Sequence, residues 1–241
     1  MPNDFFRFKQ FTIQQQYCAM KVCTDACLFG AWTASTITNE KLPAGYILDI
    51  GAGTGLLSLM LAQQLKNSII HAIEIDAAAA KQAGENFVAS PWGEQLYVFN
   101  TSIQSFSPAQ QYDLIITNPP FFQNDLASPD AQRNIALHSH QLSLEELITA
   151  IQIHLTAEGH FAVLLPYHRT QLFEALAQSA GFNVLQKSLV QQTPKHAPFR
   201  SMLLFGRAKK TCEQTTIIIK EATGNYTDAF ISLLKDYYLY L

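Results

Sequence analysis

The chain is short of cysteine, of charge and of long apolar runs, and each shortage argues against a class of protein. Its four cysteines, Cys18, Cys23, Cys27 and Cys212, form no C-x-x-C pair. A disulfide-stapled module or a paired-cysteine zinc site is therefore disfavoured, and reduced thiols packed as small hydrophobes are expected. His138 and His140 flank Ser139 in a stretch that reads as a solvated turn, so no metal is expected. No segment approaches the ~18 apolar residues that a membrane-crossing helix needs. The start of the chain, with Asp4, Arg7 and Lys9 among phenylalanines, lacks a signal-peptide layout, so a cytoplasmic protein without membrane contact is expected. Charged residues make up 15% of the sequence and the net charge is −3. Such a chain is no polycation, and a nucleic acid would have to meet a local basic patch. Internal repeats and low-complexity tracts are also missing.

What is present is apolar material in an alternating pattern. At 241 residues and 48% hydrophobic content, the chain suits one large α/β domain, 1–241. Residues 1–45 form an N-terminal extension over the site, with an aromatic edge strand or hairpin near Phe5, Phe6, Phe8 and Phe11. A helix then starts at a cap supplied by Thr24 or Asp25. From residue 46 strands and helices alternate: strands over 46–50, 69–75, 96–99, 112–117 and 160–166, helices over 54–65, 77–88, 143–159 and 171–180. This is the pattern of a parallel sheet wrapped on both faces. Ser143 and Glu146 have the spacing of a capping box. Two late runs, 182–190 and 201–207, have no helix between them and predict an antiparallel hairpin. A last strand over 215–220 and an amphipathic helix over 226–240 follow. The polar segment 123–139 reads as a long loop.

The organising stretch is Tyr46-Ile-Leu-Asp49-Ile-Gly51-Ala-Gly53-Thr-Gly55. Strand, tight turn and helix follow one another, and glycines there accept positive φ and let a ligand lie against the backbone. Glu74, with Ile75 beside it and Asp76 after it, closes the next strand, where a carboxylate can accept from both hydroxyls of a ribose. These residues point to a nucleoside-containing cofactor. The third glycine comes one position too early for the dinucleotide pattern G-x-G-x-x-G, which disfavours a nicotinamide oxidoreductase. A carboxylate at Asp49 would repel a pyrophosphate and suit a ligand bearing an ammonium group. Lys21, Thr24 and Asp25, at the entry of the first helix, are expected to border the same pocket.

The second informative stretch is Asn118-Pro119-Pro120-Phe121, directly after the fourth strand. Two prolines fix φ and remove two N–H donors, which makes a stiff turn with outward carbonyls. An amino group conjugated with a ring is a poor nucleophile unless it is held in line. The Asn118 side-chain oxygen and the Pro119 carbonyl can accept its two N–H groups and stabilise positive charge developing on nitrogen, while Phe121 stacks on the ring.

Asp49 to Gly55, Glu74 and Asn118 to Phe121 together resemble the signature of class I S-adenosylmethionine-dependent methyltransferases acting on amino nitrogens. Phe6-Arg-Phe-Lys-Gln-Phe11, Met20 to Trp32, Arg133 to Ala136, Leu142 to Leu147 and Tyr226 to Leu239 extend the likeness over nearly the whole chain. In these stretches it resembles the bacterial methyltransferases that modify the exocyclic nitrogen of the adenosine beside the anticodon of a valine tRNA. Cys23, Ala26, Leu137 and Ser139 depart from that family's pattern.

The resemblance implies a Rossmann-like, seven-stranded, mostly parallel sheet with an antiparallel C-terminal hairpin, and S-adenosylmethionine as cofactor. It further implies N6 methylation of adenosine-37 and a monomer that binds the anticodon stem-loop. Ser102, near Asn100, stands where an acid often meets the cofactor adenine. Phosphate contacts are expected from Arg7, Lys9, Lys21, Arg133, Lys195 and Arg200. Two substrates of the same chemistry remain open, a guanine amine in ribosomal RNA and a glutamine side chain of a translation factor. A non-catalytic cofactor- or RNA-binding module is the alternative of another class.

Overall fold

The computed structural model describes residues 3–18, 20–119 and 142–241. Pro120, Phe121, Arg133, His138, His140 and the expected loop over 123–139 lie outside the described residues.

An aromatic hairpin opens the chain: β1 (Phe5–Arg7) pairs antiparallel with β2 (Thr12–Gln14). Helix α1 (Thr24–Asn39) follows. It starts at Cys23 and has no side-chain cap. Thr24 is already helical, and Asp25 reaches instead to Arg200 Nε at 2.7 Å. The Rossmann-like core then runs β3 (Tyr46–Ile50), α2 (Leu56–Gln64), β4 (Ile69–Glu74), α3 (Ala77–Val88), β5 (Leu96–Asn100) and β6 (Tyr112–Thr117). Beyond the undescribed stretch come α4 (Leu144–His154), β7 (Leu155–Pro166), α5 (Thr170–Ser179), β8 (Asn183–Gln191), β9 (Arg200–Gly206), β10 (Glu213–Ile218) and α6 (Asp228–Leu234).

The large sheet has the order β10-β8-β9-β7-β6-β3-β4-β5. Strand β9 runs antiparallel to β7 and β8, and every other pair is parallel. Eight strands rather than seven result because β10 extends the sheet beyond the hairpin, its Thr215 hydroxyl donating to Ser188 Oγ. The strands are apolar on both sides, as buried parallel strands must be. Ile47, Leu114, Ile116, Ala162 and Leu204 pack toward α1, α2 and α6, while Leu48, Ile115, Phe161, Val163 and Phe205 pack toward α4 and α5. Gly30 lets α1 lie close on α2, since a Cβ there would stand 2.8 Å from Met60 Sδ.

Two helices end earlier than the sequence suggests, and in both cases a tertiary contact wins over helix propensity. Helix α4 has both bonds of the Ser143–Glu146 capping box but stops at His154. Leu155 turns to extended geometry and pairs with Tyr112, and residues 156–159 form an irregularity before His160 pairs with Leu114. Gly159 is thus no helix stop; a Cβ there would stand 2.8 Å from the Leu155 side chain.

Helix α6 begins only after Thr227, whose hydroxyl accepts from Phe230 N. The chain then leaves the helix because Tyr237 donates to Met60 O and Tyr238 bridges to Phe8. Among the described residues no helix is long and apolar enough to cross a membrane.

Candidate active site

The strand order reverses between β3 and β6: the chain winds outward from β3 through β4 to β5, then returns to β6 on the other side. In such sheets ligands bind at the carboxyl ends of the two strands that flank the reversal. Ile50, the last residue of β3, pairs with Thr117, the last of β6, and the Thr117 hydroxyl donates to Ile50 O at 2.9 Å. The next residues are Gly51 on one strand and Asn118 on the other. Register alone therefore brings the glycine turn and the start of the proline turn side by side.

The turn itself is strongly fixed. Gly51, Gly53 and Gly55 all have positive φ, at 73°, 56° and 80°. Gly51 N and Ala52 N donate to Ile73 O at the end of β4, and Gly53 N donates to Glu74 Oε2 at 2.8 Å. The other Glu74 oxygen accepts from Asp76 N, and Asp76 Oδ1 caps α3 by accepting from Ala79 N. Glu74 is thus braced by two backbone donors while its carboxylate keeps lone pairs for a diol.

A cavity of about 470 Å³ opens at this point. Of the residues singled out in the sequence, Gly51, Gly53, Glu74, Ile75, Ser102 and Asn118 line it, together with Asp76. Gly55, Asp49, Lys21 and Thr24 do not. Gly55 packs on α3, where a Cβ would stand 2.4 Å from Phe87 Cε1. Asp49 is wholly buried beneath the turn, its Oδ2 accepting from Ser58 Oγ at 2.7 Å and Ser58 N at 3.2 Å. Lys21 Nζ donates to Gln15 O, and Thr24 is exposed at the head of α1.

The N-terminal extension still reaches the cavity, through Tyr17, Cys18 and Met20. Nothing in their residue types marks them; only the proximity of the extension to the turn could have suggested them. Burial pushes the Cys18 thiol up to about 11, so it forms a neutral wall. Thr101, Ile103 and Gln104 add a wall beyond β5. Asn100 faces elsewhere, its amide donating to Glu74 O and Ile75 O. Pro119 is buried. A larger depression of about 620 Å³ lies past Ile103 and Gln104 against α4, but neither the glycine turn nor Asn118 lines it.

The residues present fit S-adenosylmethionine. A Cβ at Gly51 or Gly53 would meet nothing within 4 Å, so both glycines leave a bare backbone cradle. Asp49 Oδ1, buried next to that cradle, has no hydrogen-bond partner. An orphaned carboxylate oxygen is costly and suits a site completed by a cationic donor. Burial pushes the Asp49 carboxyl up to about 7 against the pull of the Ser58 hydroxyl and amide, and the charge of Glu74 adds to the rise.

A folded-state value above the unfolded one means that the protonated form is stabilised on folding. The resulting contribution to stability is complete below about pH 4 and is lost as pH rises to about 7. Urea midpoints of the ligand-free protein are accordingly expected to lose that contribution across this window, and Asp49→Asn, which cannot ionise, removes the corresponding slope.

Comparison with known proteins follows the same lines. Residues 21–186 match the family model described as methyltransferase small domain. The chain is 46% identical over 242 residues to a tRNA1(Val) (adenine(37)-N6)-methyltransferase of Dyadobacter fermentans, covering 98% of each chain. It is 40% identical over 242 residues to a protein of the same name from Bacteroides fragilis, covering 99% of each. Among solved structures, a predicted O-methyltransferase from Agrobacterium tumefaciens has the same fold, with a TM-score of 0.67 at 16% identity over 88% of this chain and 96% of that one.

Proposed function

The chain belongs to the tRNA1(Val) (adenine(37)-N6)-methyltransferase family, and from that premise we propose that it methylates the exocyclic N6 of adenosine-37 in a valine tRNA, with S-adenosylmethionine as donor. The observation that carries this reading is the convergence of Gly51, Gly53, Glu74 and Asn118 on one cavity at the strand reversal. Bound S-adenosylmethionine supplies an electrophilic methyl on a sulfonium centre. The work of the chain is then to hold, align and polarise.

Gly51 and Gly53 would admit the methionine part against their backbone, and the Asp49 carboxyl, buried beneath the turn, would act on its ammonium group through the field behind the cradle rather than by contact. Glu74 accepts from the ribose hydroxyls, with Ile75 and Ser102 flanking the adenine. The Asn118 side-chain oxygen and the Pro119 carbonyl accept the two N–H groups of the target amine and turn its lone pair toward the methyl. As the N–C bond forms and the methyl–sulfur bond breaks, its electron pair staying on the departing thioether, positive charge grows on nitrogen and these acceptors stabilise it. The proton then becomes acidic and leaves to solvent, so no strong base is required. The role expected of Phe121 as a stacking partner extends this reading to a residue outside those described.

A protein with this substrate works in the cytoplasm, and we take residues 1–241 to act as one domain and as a monomer. The test is incubation of the purified protein with labelled S-adenosylmethionine and, separately, valine tRNA, ribosomal RNA and translation factors, followed by nucleoside mass spectrometry. One N6-methyladenosine in the tRNA is expected. Label confined to a guanine amine or to a glutamine side chain would overturn the reading.

A further inference from the structure

Charge is unevenly spread along the chain. Residues 159–212 carry seven cations (Arg169, Lys187, Lys195, Arg200, Arg207, Lys209 and Lys210) and one acid, Glu174. Their net charge is 7 − 1 = +6, against −3 − 6 = −9 for the rest of the chain. The fold sorts these cations to different places. Lys187 is paired with Glu174 at 2.6 Å. Arg207, Lys209 and Lys210 follow the C-terminal end of the antiparallel strand β9, and so leave the sheet at the edge opposite the active site. Arg169, Lys195 and Arg200 are at the active-site edge, because β7 and β8 run parallel to β6 and β9 begins there.

At that edge two segments meet. The turn after β7, Tyr167 to Arg169, is joined to the β8–β9 connection by a bond from Tyr167 N to Phe199 O. Lys195 and His196 are exposed on that connection, and Tyr167 is 45% exposed. Arg200 serves a different purpose: its bond to Asp25 ties the connection to the head of α1, and although burial pushes the Asp25 carboxyl up, hydrogen bonds from Cys23 and Arg200 and the Arg200 charge together hold it below its ordinary range. Strand β7 neighbours β6, and β8 is three strands from β6, or about 14 Å at the usual spacing. On the other side of Asn118, Glu74 and Asp76 make the edge acidic. The edge is therefore polarised, with acids where the nucleoside cofactor fits and cations with an exposed aromatic ring on the far side of the catalytic asparagine.

We propose that the surface formed by Tyr167 to Arg169 and the β8–β9 connection grips the sugar-phosphate backbone of the tRNA beside its target adenosine. Lys195 neutralises phosphate and Tyr167 stacks on a splayed base or ribose. The proposal rests on the tRNA reading above and deepens it. It also explains how an acidic protein meets a polyanion, since the repulsive charge lies elsewhere in the fold.

Binding of a valine-tRNA transcript across a salt series tests it, with S-adenosylmethionine affinity and methyl transfer measured on the same samples. Lys195→Glu is expected to weaken tRNA binding about tenfold at low salt and to reduce the slope of log affinity against log salt by about one. Tyr167→Ala is expected to weaken binding to a similar degree without changing the slope. The control Lys209→Glu/Lys210→Glu, at the opposite edge, leaves both quantities at the wild-type level, and cofactor affinity stays constant throughout. Wild-type binding and slope in Lys195→Glu and Tyr167→Ala, or an equal loss in the control, overturns the surface while a wild-type protein that methylates the transcript leaves the functional reading intact. A wild-type protein that neither binds nor methylates the transcript overturns both.

Discussion

Replacing Asn118 by alanine is expected to lower the rate of methyl transfer by about 10²–10³-fold while S-adenosylmethionine affinity stays within about threefold. The two outcomes separate because Asn118 lines the cavity from β6 while the cradle is built from β3 and β4. Its side chain is half-buried and takes no part in the bonds that fix the glycine turn, which run to Ile73 O and Glu74. Loss of the amide therefore removes an acceptor needed most when charge develops on the amine, and leaves the donor's site in place. Asn118→Asp, which keeps an oxygen at the same distance from the backbone, is expected to retain more activity than the alanine variant. Rapid-mixing assays of transfer and calorimetry of cofactor binding read the two quantities separately. An alanine variant with wild-type turnover would remove Asn118 from the chemistry, and a wild-type protein that binds cofactor with no transfer to lose would favour the non-catalytic module.

The parts of this molecule that were readable in advance are those where local chemistry and tertiary demand agree. Helix α3 begins and ends where its sequence predicts, because Asp76 caps it and nothing downstream competes. Strands β3 and β6 are equally plain, being apolar runs closed by a turn. Helices α4 and α6 end short of their sequence patterns, where Leu155 and Tyr238 are drawn into pairings with residues far away in the chain. Propensity cannot report a partner 43 or 230 positions distant.

The site divides in the same way. The glycines and Glu74 announce themselves by spacing, but the sequence treats Gly51, Gly53 and Gly55 alike and cannot show that only the first two face the cavity. Nor can it show that Asp49 turns inward to Ser58, or that Tyr17, Cys18 and Met20 close a wall. Charge and a place in a segment expected to rim the pocket mouth put Arg200 among the phosphate contacts, and its bond to Asp25 is visible only when α1 and β9 are brought together. Lys9 is likewise committed elsewhere: it donates to Lys235 O near the C-terminal end of α2, the end of that helix remote from the glycine turn.

The division among the glycines leads to the second large effect, a contrast between two single-methyl additions only two residues apart. Gly53→Ala adds a Cβ with nothing within 4 Å, so its cost to the ligand-free fold is that of positive φ alone, about 1–2 kcal/mol. That same methyl occupies the bare cradle, and cofactor affinity is expected to fall at least about tenfold, or about 1.4 kcal/mol. Gly55→Ala reverses the balance. Its Cβ meets the ring of Phe87, which is 2% exposed and enclosed by α3 and the core, so the ring cannot move aside. Overpacking and positive φ together are expected to cost about 2–4 kcal/mol of stability, a fall in melting temperature of about 5–15 °C.

Adding Phe87→Leu to Gly55→Ala should recover the part of the loss caused by the clash and leave the part caused by backbone geometry. Thermal denaturation of the ligand-free variants and cofactor titration at a temperature where all are folded measure the two axes. A Gly53 variant that unfolds while the Gly55 variant stays stable and binds poorly would mean that the cradle and the packing contact had been assigned to the wrong glycines.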